Sequence, residues 1–306
     1  MAGRLLSIGE CMVELMQAEG DLLRKGYAGD SFNTAYYARL FLPGDWSVDY
    51  FTAVGTDAIS DEMLAFIEKT GVGTGYIRCI EGRTPGLYMI HLKDGERSFS
   101  YWRSVSAAKL LADDADHLRE AAEASDILVF SGITLAILAP NAVETLLLEL
   151  RRAKAAGKLV VFDPNIRPRL WDDKTRMLET ISAGARASSL VMPSFDDEAA
   201  HFGDADIAAT IARYRSLGVA NVVVKDGPNG VTLSFGDSKT EFVPSAKVEK
   251  IVDTTSAGDS FNGAFLSRYA LDGDPVAAAR FAAQTAAAVI QHHGALVARD
   301  KLEALF

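Results

Sequence analysis

The stretch VDTTSAGDSFNGAFLSRYA, residues 252–270, places hydroxyl-bearing residues, a Gly and a bare carboxylate at the mouth of an apolar helical run. The helical pattern begins near Ala257, so the amides of Ala257, Gly258 and Asp259 fall among the unpaired donors of a first turn. With the positive end of the helix dipole they make an anion site. Gly258 has no Cβ, so a phosphate can approach the backbone there. A carboxylate beside a bound phosphate sets like charges together and is poor for binding alone. It fits a group that deprotonates or orients a hydroxyl attacking the γ-phosphate of a nucleotide, while the helix mouth takes up the charge of the transferring group. A plainer account stays open, in which Asp259 complements the dipole and Thr254, Thr255 or Ser256 caps the turn.

Two other features tempt a chemical reading and carry less. Adjacent His292 and His293 on a helix would point about 100° apart, and Met12 and Met16 read as packing. GVGTG at 71–75 follows a helical pattern instead of opening one after a strand, so it does not read as a dinucleotide loop, and no GxxxxGK[ST] run exists.

The elements that must position the helix mouth alternate. Short β-rich runs (RLLSIG, VDYFTAVG, DILVFSG, KLVVFDPN, SLVMPS, NVVVKDG) are separated by helical ones such as PNAVETLLLELRRAKAAG. This reads as βαβ units around a mostly parallel sheet with helices on both faces, an α/β fold. Ligands in such sheets sit beyond the strand carboxyl ends, where Asp163, Pro193, Ser194 and Asp226 fall. GLYMIHLKDGERSFSYWR, 86–103, departs from the alternation: it reads as two strands joined at Lys93-Asp94-Gly95-Glu96, with Asp-Gly as the hairpin signal. With a second candidate strand at Cys11 to Met16 it predicts a small projecting sheet, a lid with strands at about 11–27 and 76–105. We expect one domain over 1–306, the lid being an insertion.

The totals bound the partners. With 306 residues, 49% of them hydrophobic, the chain can bury a large core. A formal charge of −10 argues against a nucleic-acid surface, so an anionic substrate must be held by a few local Arg or Lys side chains. No run of eighteen apolar residues and no secretory leader pattern is present, so no membrane partner is expected and the expected location is the cytoplasm. Cys11 and Cys79 have neither CxxC spacing nor a His cluster and read as ordinary buried thiols.

DTTSAGDSFNGAF resembles the C-terminal signature of the ribokinase-like (PfkB) carbohydrate kinases, usually DTTGAGD followed by Ser or Ala and Phe. AGDSFNTA at 28–35 is similar to that family's GG-x-x-x-N-x-A segment, and VGTDAISDEM resembles its VG-x-D-x-x-G segment. The resemblance runs over nearly the whole chain. It implies a three-layer α/β/α fold with a β-sheet lid, and an ATP-dependent kinase acting on a primary alcohol of a sugar or nucleoside. Ser256, Ala257, Gly258 and Asp259 would then form the anion hole, with Asp259 as general base. Ala28, Ser60 and Ser256 stand where the family has Gly. Ser256 matters most: a Ser keeps the backbone donor and brings a hydroxyl, but costs conformational energy if its φ is positive.

Tyr88, the Tyr101-x-Arg103 arrangement and Asn165-Ile166-Arg167 also resemble the 2-keto-3-deoxygluconate kinase subgroup, whose corresponding tyrosines and arginines bind a sugar acid. The chemistry agrees, because guanidinium groups pair bidentately with carboxylate and aromatic neighbours strengthen the pairing by excluding water. The implied reaction is phosphorylation at C6. By the same resemblance Gly29, Asp30 and Asn33 contact sugar hydroxyls; helix N-capping is their alternative. For Arg103 the alternative is a solvated lid charge, and for Tyr88 and Tyr101 routine strand packing. Arg169, separated from Arg167 by Pro168, reads as a surface charge.

On the nucleotide side the resemblance places Asn165, Arg167, Ser194, Lys225, Gly227, Gly230 and residues 256–258 near ATP. KDGPNG, 225–230, also makes sense as an ordinary turn. Mg²⁺ is expected with few protein ligands. The family's Asn-x-x-Glu metal-associated motif becomes Ser194-x-x-Asp197 here, and Asp196, Asp197 and Glu198 equally suit a first helical turn. Asp253 and Thr255 match positions that hold a monovalent cation in some relatives, which brings in K⁺. A homo-oligomer through the lid is expected, because a small two-sided sheet is hard to stabilise alone. The rival readings are another sugar kinase, such as a fructokinase, and a non-catalytic sugar or nucleotide sensor on the same fold.

Overall fold

The computed structural model describes residues 3–18, 20–93 and 96–306. Its strands in chain order are β1 (Arg4–Ile8), β2 (Met12–Gln17), β3 (Leu23–Ala28), β4 (Ser47–Val54), β5 (Ile77–Cys79), β6 (Leu87–Lys93) and β7 (Glu96–Trp102). They continue with β8 (Ile127–Ser131), β9 (Leu159–Asp163), β10 (Leu190–Val191), β11 (Asn221–Lys225), β12 (Val231–Phe235) and β13 (Glu241–Val243). The helices are α1 (Asp30–Phe41), α2 (Ala58–Lys69), α3 (Ala115–Glu123), α4 (Gly132–Ile137) and α5 (Pro140–Ala155). Then follow α6 (Lys174–Arg186), α7 (Phe195–Phe202), α8 (Ile207–Ser216), α9 (Ala257–Asp272) and α10 (Pro275–Val289).

The large sheet runs β13-β12-β11-β10-β9-β8-β1-β4-β5, with parallel pairing from β11 to β5 and β12 antiparallel to both β11 and β13. Its strands are apolar without a break because helices cover both faces. Alternate side chains divide between the two layers. Leu5, Val129, Val161 and Val223 meet α1, α2, α9 and α10, whereas Leu6, Phe130, Phe162 and Val222 meet the opposite layer, which includes α3, α5, α6 and α8. Strand order reverses beside β1, with β4 on one side and β8 on the other. The crevice above the carboxyl ends of β1 and β8 is therefore the expected ligand site.

The second sheet runs β3-β2-β6-β7, with β2 and β6 parallel and the other pairs antiparallel. This is the expected lid, and its outer parts leave Leu22, Phe99, Tyr101, Trp102 and Val105 exposed. β6 and β7 pair as a hairpin, but the Asp94-Gly95 turn predicted for its tip lies outside the described residues. One expectation fails: Cys11 is buried, but Cys79 is exposed, because it ends the short edge strand β5. Among the described residues, no helix is long and apolar enough to cross a membrane.

Candidate active site

The amino ends of α1 and α9 converge on the crevice. Gly263 permits this, since a Cβ there would lie 2.6 Å from the Thr34 carbonyl oxygen and 2.8 Å from the Ala38 amide. The predicted helix mouth forms as expected: α9 begins at Ala257, and its N-cap residue Ser256 makes no side-chain capping hydrogen bond, so the capping account does not hold for Ser256. One donor is lost from the expected set, because the Ala257 amide donates to the Thr254 carbonyl (3.3 Å). Gly258 and Asp259 carry the open first turn.

Ser256 pays the conformational cost foreseen for it. Its φ is 63°, in the left-handed region, and its hydroxyl is buried without a hydrogen bond. It lies on the Tyr37 side of the loop, where the Tyr37 hydroxyl already donates to the Ala295 carbonyl (2.9 Å) and accepts from the Val297 amide (3.1 Å). Ser256→Gly should therefore raise stability by about 1 kcal/mol, since it relieves left-handed strain and an unpaired buried hydroxyl while enlarging unfolded-state entropy. Thermal unfolding checks this, and activity should stay within a few-fold.

Asp259 joins the two sides of the crevice. Its carboxylate accepts from Asn33 Nδ2 (2.8 Å), and Asn33 Oδ1 accepts from the Gly29 amide (3.3 Å). Asp30 accepts from its neighbour's amide at Ser31 and from Asn165 Nδ2, both at 2.8 Å. Asn165, placed with the nucleotide by sequence, thus bonds the acid at the start of α1, and its φ is 34° just past the end of β9. Burial, reinforced by the Asp30 and Asp163 charges, pushes the Asp259 pKa up to about 7 against the Asn33 hydrogen bond and Lys225. That value suits a general base near neutrality.

Below the helix mouth lies a cluster that sequence reading caught only in part. Lys225, at the end of β11, is nearly buried and sets Nζ 3.1 Å from Asp163 Oδ2 and 3.1 Å from Asn262 Oδ1. Asn262 Nδ2 closes the triangle on Asp163 (2.6 Å). A Cβ on Gly258 would meet only this ammonium, at 3.7 Å. The space over the α9 start is thus open and faced by a cation, which fits a nucleotide phosphate. Asn262 was missed because nothing in a helical NGAF run marks an inward amide. Gly227 and Gly230, with φ 48° and 114°, are required by the tight turn that Asp226 closes through its amide to the Gly230 carbonyl (2.9 Å).

The three acids of the Ser194 segment part ways. Ser194 precedes α7 without capping it; Asp196 is exposed. Glu198 is fully buried, accepts from Tyr214 (2.9 Å) and pairs with Arg213 (2.5 Å), and burial pushes its pKa up to about 7. It ties α7 to α8. Asp197 faces the crevice, 3.8 Å from Arg167, and burial raises its pKa. Among the described residues no three His, Cys, Asp or Glu side chains form a metal cluster. The donors present suit a divalent ion held by one carboxylate, phosphate and water. Asp253 accepts from the Thr255 amide (2.9 Å) and the Gly294 amide (2.8 Å), joining the approach to α9 with the loop after α10.

On the lid side, Arg167 is half exposed and, among the described residues, bonds only the neighbouring Ile166 carbonyl (2.9 Å) besides its approach to Asp197. Tyr101 is half exposed, and Tyr88 packs near it with ring centroids 6.0 Å apart. The Tyr88 hydroxyl donates to Glu14, across the register pair of β2 and β6. Arg103 is not the solvated lid charge, nor is it free: it pairs with Glu10, a buried carboxylate that sequence reading overlooked. The signal was a lone charge in SIGECM, between apolar residues at a strand exit. A cavity of about 890 Å³ lined by Phe41, Trp46, Leu271 and Phe306 lies at the far ends of α1 and α9, away from all these groups.

A profile of the family described as pfkB family carbohydrate kinase matches residues 2–301. The chain is 38% identical to the 2-dehydro-3-deoxygluconokinase of Escherichia coli K12 over 310 residues, covering 99% of this chain and 100% of that one. It is 39% identical to the 2-dehydro-3-deoxygluconokinase of Dickeya dadantii, with 97% of each covered. Among solved structures, the fructokinase of Xylella fastidiosa with bound ATP superposes with a TM-score of 0.85 at 24% identity, covering 100% of this chain and 98% of that one.

Proposed function

The chain belongs to the pfkB family of carbohydrate kinases, and from that premise we propose that it phosphorylates the C6 hydroxyl of 2-keto-3-deoxygluconate, giving the 6-phosphate. The observation that carries the reaction type is Asp259, a base with a pKa of about 7 standing between the sugar-side group of Asn33, Asp30 and Gly29 and the phosphate-side pair of Gly258 and Lys225. The choice of sugar acid is supported by the two full-length relatives of that activity.

ATP with Mg²⁺ supplies the phosphoryl group and much of its charge neutralisation. Asp30, Asn33 and the Gly29 backbone orient the sugar, and Asp259 accepts the C6 hydroxyl proton. The open amides of the α9 first turn and the Lys225 ammonium hold the charge of the transferring group. Asp197 is the carboxylate positioned to assist the metal. Arg167 and the second guanidinium, Arg103, face the acid end with Tyr88 and Tyr101. Lid closure over the crevice would keep water from the γ-phosphate. The exposed apolar edge of the lid, with Leu22, Phe99 and Trp102, is the surface through which we expect a homo-oligomer, and sedimentation of a lid-edge variant tests it.

One observation favours a second reading. Glu10 neutralises Arg103 and Asp197 approaches Arg167, so neither arginine is an uncompensated charge, which suits a neutral sugar such as fructose. A substrate panel with coupled ADP detection decides. We expect the keto acid to be preferred over fructose by about a hundredfold or more in kcat/KM, as loss of a paired carboxylate predicts. A preference for fructose overturns the sugar-acid reading, and no ADP with any sugar supports a sensor. Arg167→Ala should raise KM for the keto acid roughly tenfold to a hundredfold, with little change for a neutral sugar.

A further inference from the structure

The lid joins the body at residues 9–11, 80–86 and 103–106, besides the entry to α1. One buried carboxylate sits where these three segments meet. Glu10 is 2% exposed; its Oε1 accepts from Ser106 Oγ (2.5 Å) and its Oε2 pairs with Arg103 Nη2. Gly86 completes the junction, since a Cβ there would lie 2.8 Å from Glu10 Oε1 and 3.1 Å from Arg103 Cβ. The Glu10 main chain reaches the sugar side as well: a Cβ on Gly29 would fall 2.0 Å from the Glu10 carbonyl oxygen.

A carboxylate this buried is costly, and burial raises its pKa against the pull of Arg103 and Ser106. Phosphoryl transfer at the α9 mouth has no use for it. Its geometric effect is specific, however. With Nη2 held, the Arg103 guanidinium is anchored at the lid root, and among the described residues Nε and Nη1 are left for a second anion. We infer that Glu10 is a positioning residue for substrate recognition: it orients Arg103 at the lid root, in register with Gly29 and Asp30, so that the remaining guanidinium nitrogens meet the carboxylate of the sugar acid. This rests on the sugar-acid reading proposed above.

A cycle of Glu10→Gln, Arg103→Ala and the double variant tests it, with KM for the keto acid, KM for ATP and kcat measured for each. Glu10→Gln should raise the keto-acid KM roughly tenfold, the loss of one charge-assisted hydrogen bond, with the ATP KM unchanged. In the Arg103→Ala background the same change should have no further effect, because Glu10 acts through Arg103. An unchanged keto-acid KM in Glu10→Gln, or an equal rise in both backgrounds, overturns the inference. If Glu10→Gln does not fold, Ser106→Ala carries the test: a rise of about threefold supports it and no rise overturns it. Wild-type turnover of the keto acid separates the two levels. Without it the sugar-acid reading fails; with it and an additive cycle, only the role of Glu10 fails.

Discussion

Asp259→Asn is expected to lower kcat about a thousandfold or more, the loss of a general base, while making the folded protein more stable at pH 8. Both effects follow from one environment. The carboxyl pKa stands at about 7 in the fold against 3.8 as its ordinary value, so the folded state holds this proton more tightly than the unfolded chain. Stability from the group is fully present below about pH 4 and is lost as pH rises through about 7. At about 1.4 kcal/mol per pKa unit the loss reaches at most about 4 kcal/mol, and the partial accessibility of the carboxylate reduces it. The Asn variant has no such group, so its advantage in thermal unfolding should be clear at pH 8 and vanish near pH 4. Wild-type kcat/KM should rise with pH through about 7, because the base must be ionised. Equal Tm values at both pH values, or a variant with near wild-type turnover, would contradict this account.

The same environment shows what the sequence could and could not convey. Gly258 and Asp259 were legible because a helix start is local: a small residue and an acid at the head of an apolar run already imply open amides and an unusual charge. The layered sheet was legible because strands buried on both faces are written as unbroken apolar runs between helical periods. The partners of the site residues were not. Asn33 meets Asp259 across 226 positions, Arg103 meets Glu10 across 93, and Lys225 meets Asp163 across 62. No periodicity links such pairs; only the strand order, reversed beside β1, brings their ends to one crevice. Sequence alone therefore left Arg103 as a carboxylate ligand or a solvated lid charge and put Asn165 with the nucleotide, without showing that Glu10 and Asp30, distant in sequence, engage them.

Lys225→Met is the substitution expected to separate the fold from the chemistry. The ammonium is nearly buried and bridges Asp163 and Asn262, so its loss leaves the Asp163 charge without its cation in a place water hardly reaches. Breaking such a pair on one side costs about 3–5 kcal/mol. Adding Asp163→Asn removes the stranded charge, and most of that stability should return. Activity should not return, because the same ammonium faces the open start of α9 beside Gly258, where the transferring phosphoryl group would carry its charge. Loss of one preorganised cation there is worth a fall of about a hundredfold to a thousandfold in kcat. The double variant should therefore unfold close to the wild-type temperature and remain a poor kinase, with its sugar KM little changed because Asn33, Asp30 and Arg167 are untouched. A double variant that recovers turnover together with stability would reduce Lys225 to a counterion for Asp163, and would leave the phosphate to the helix mouth alone.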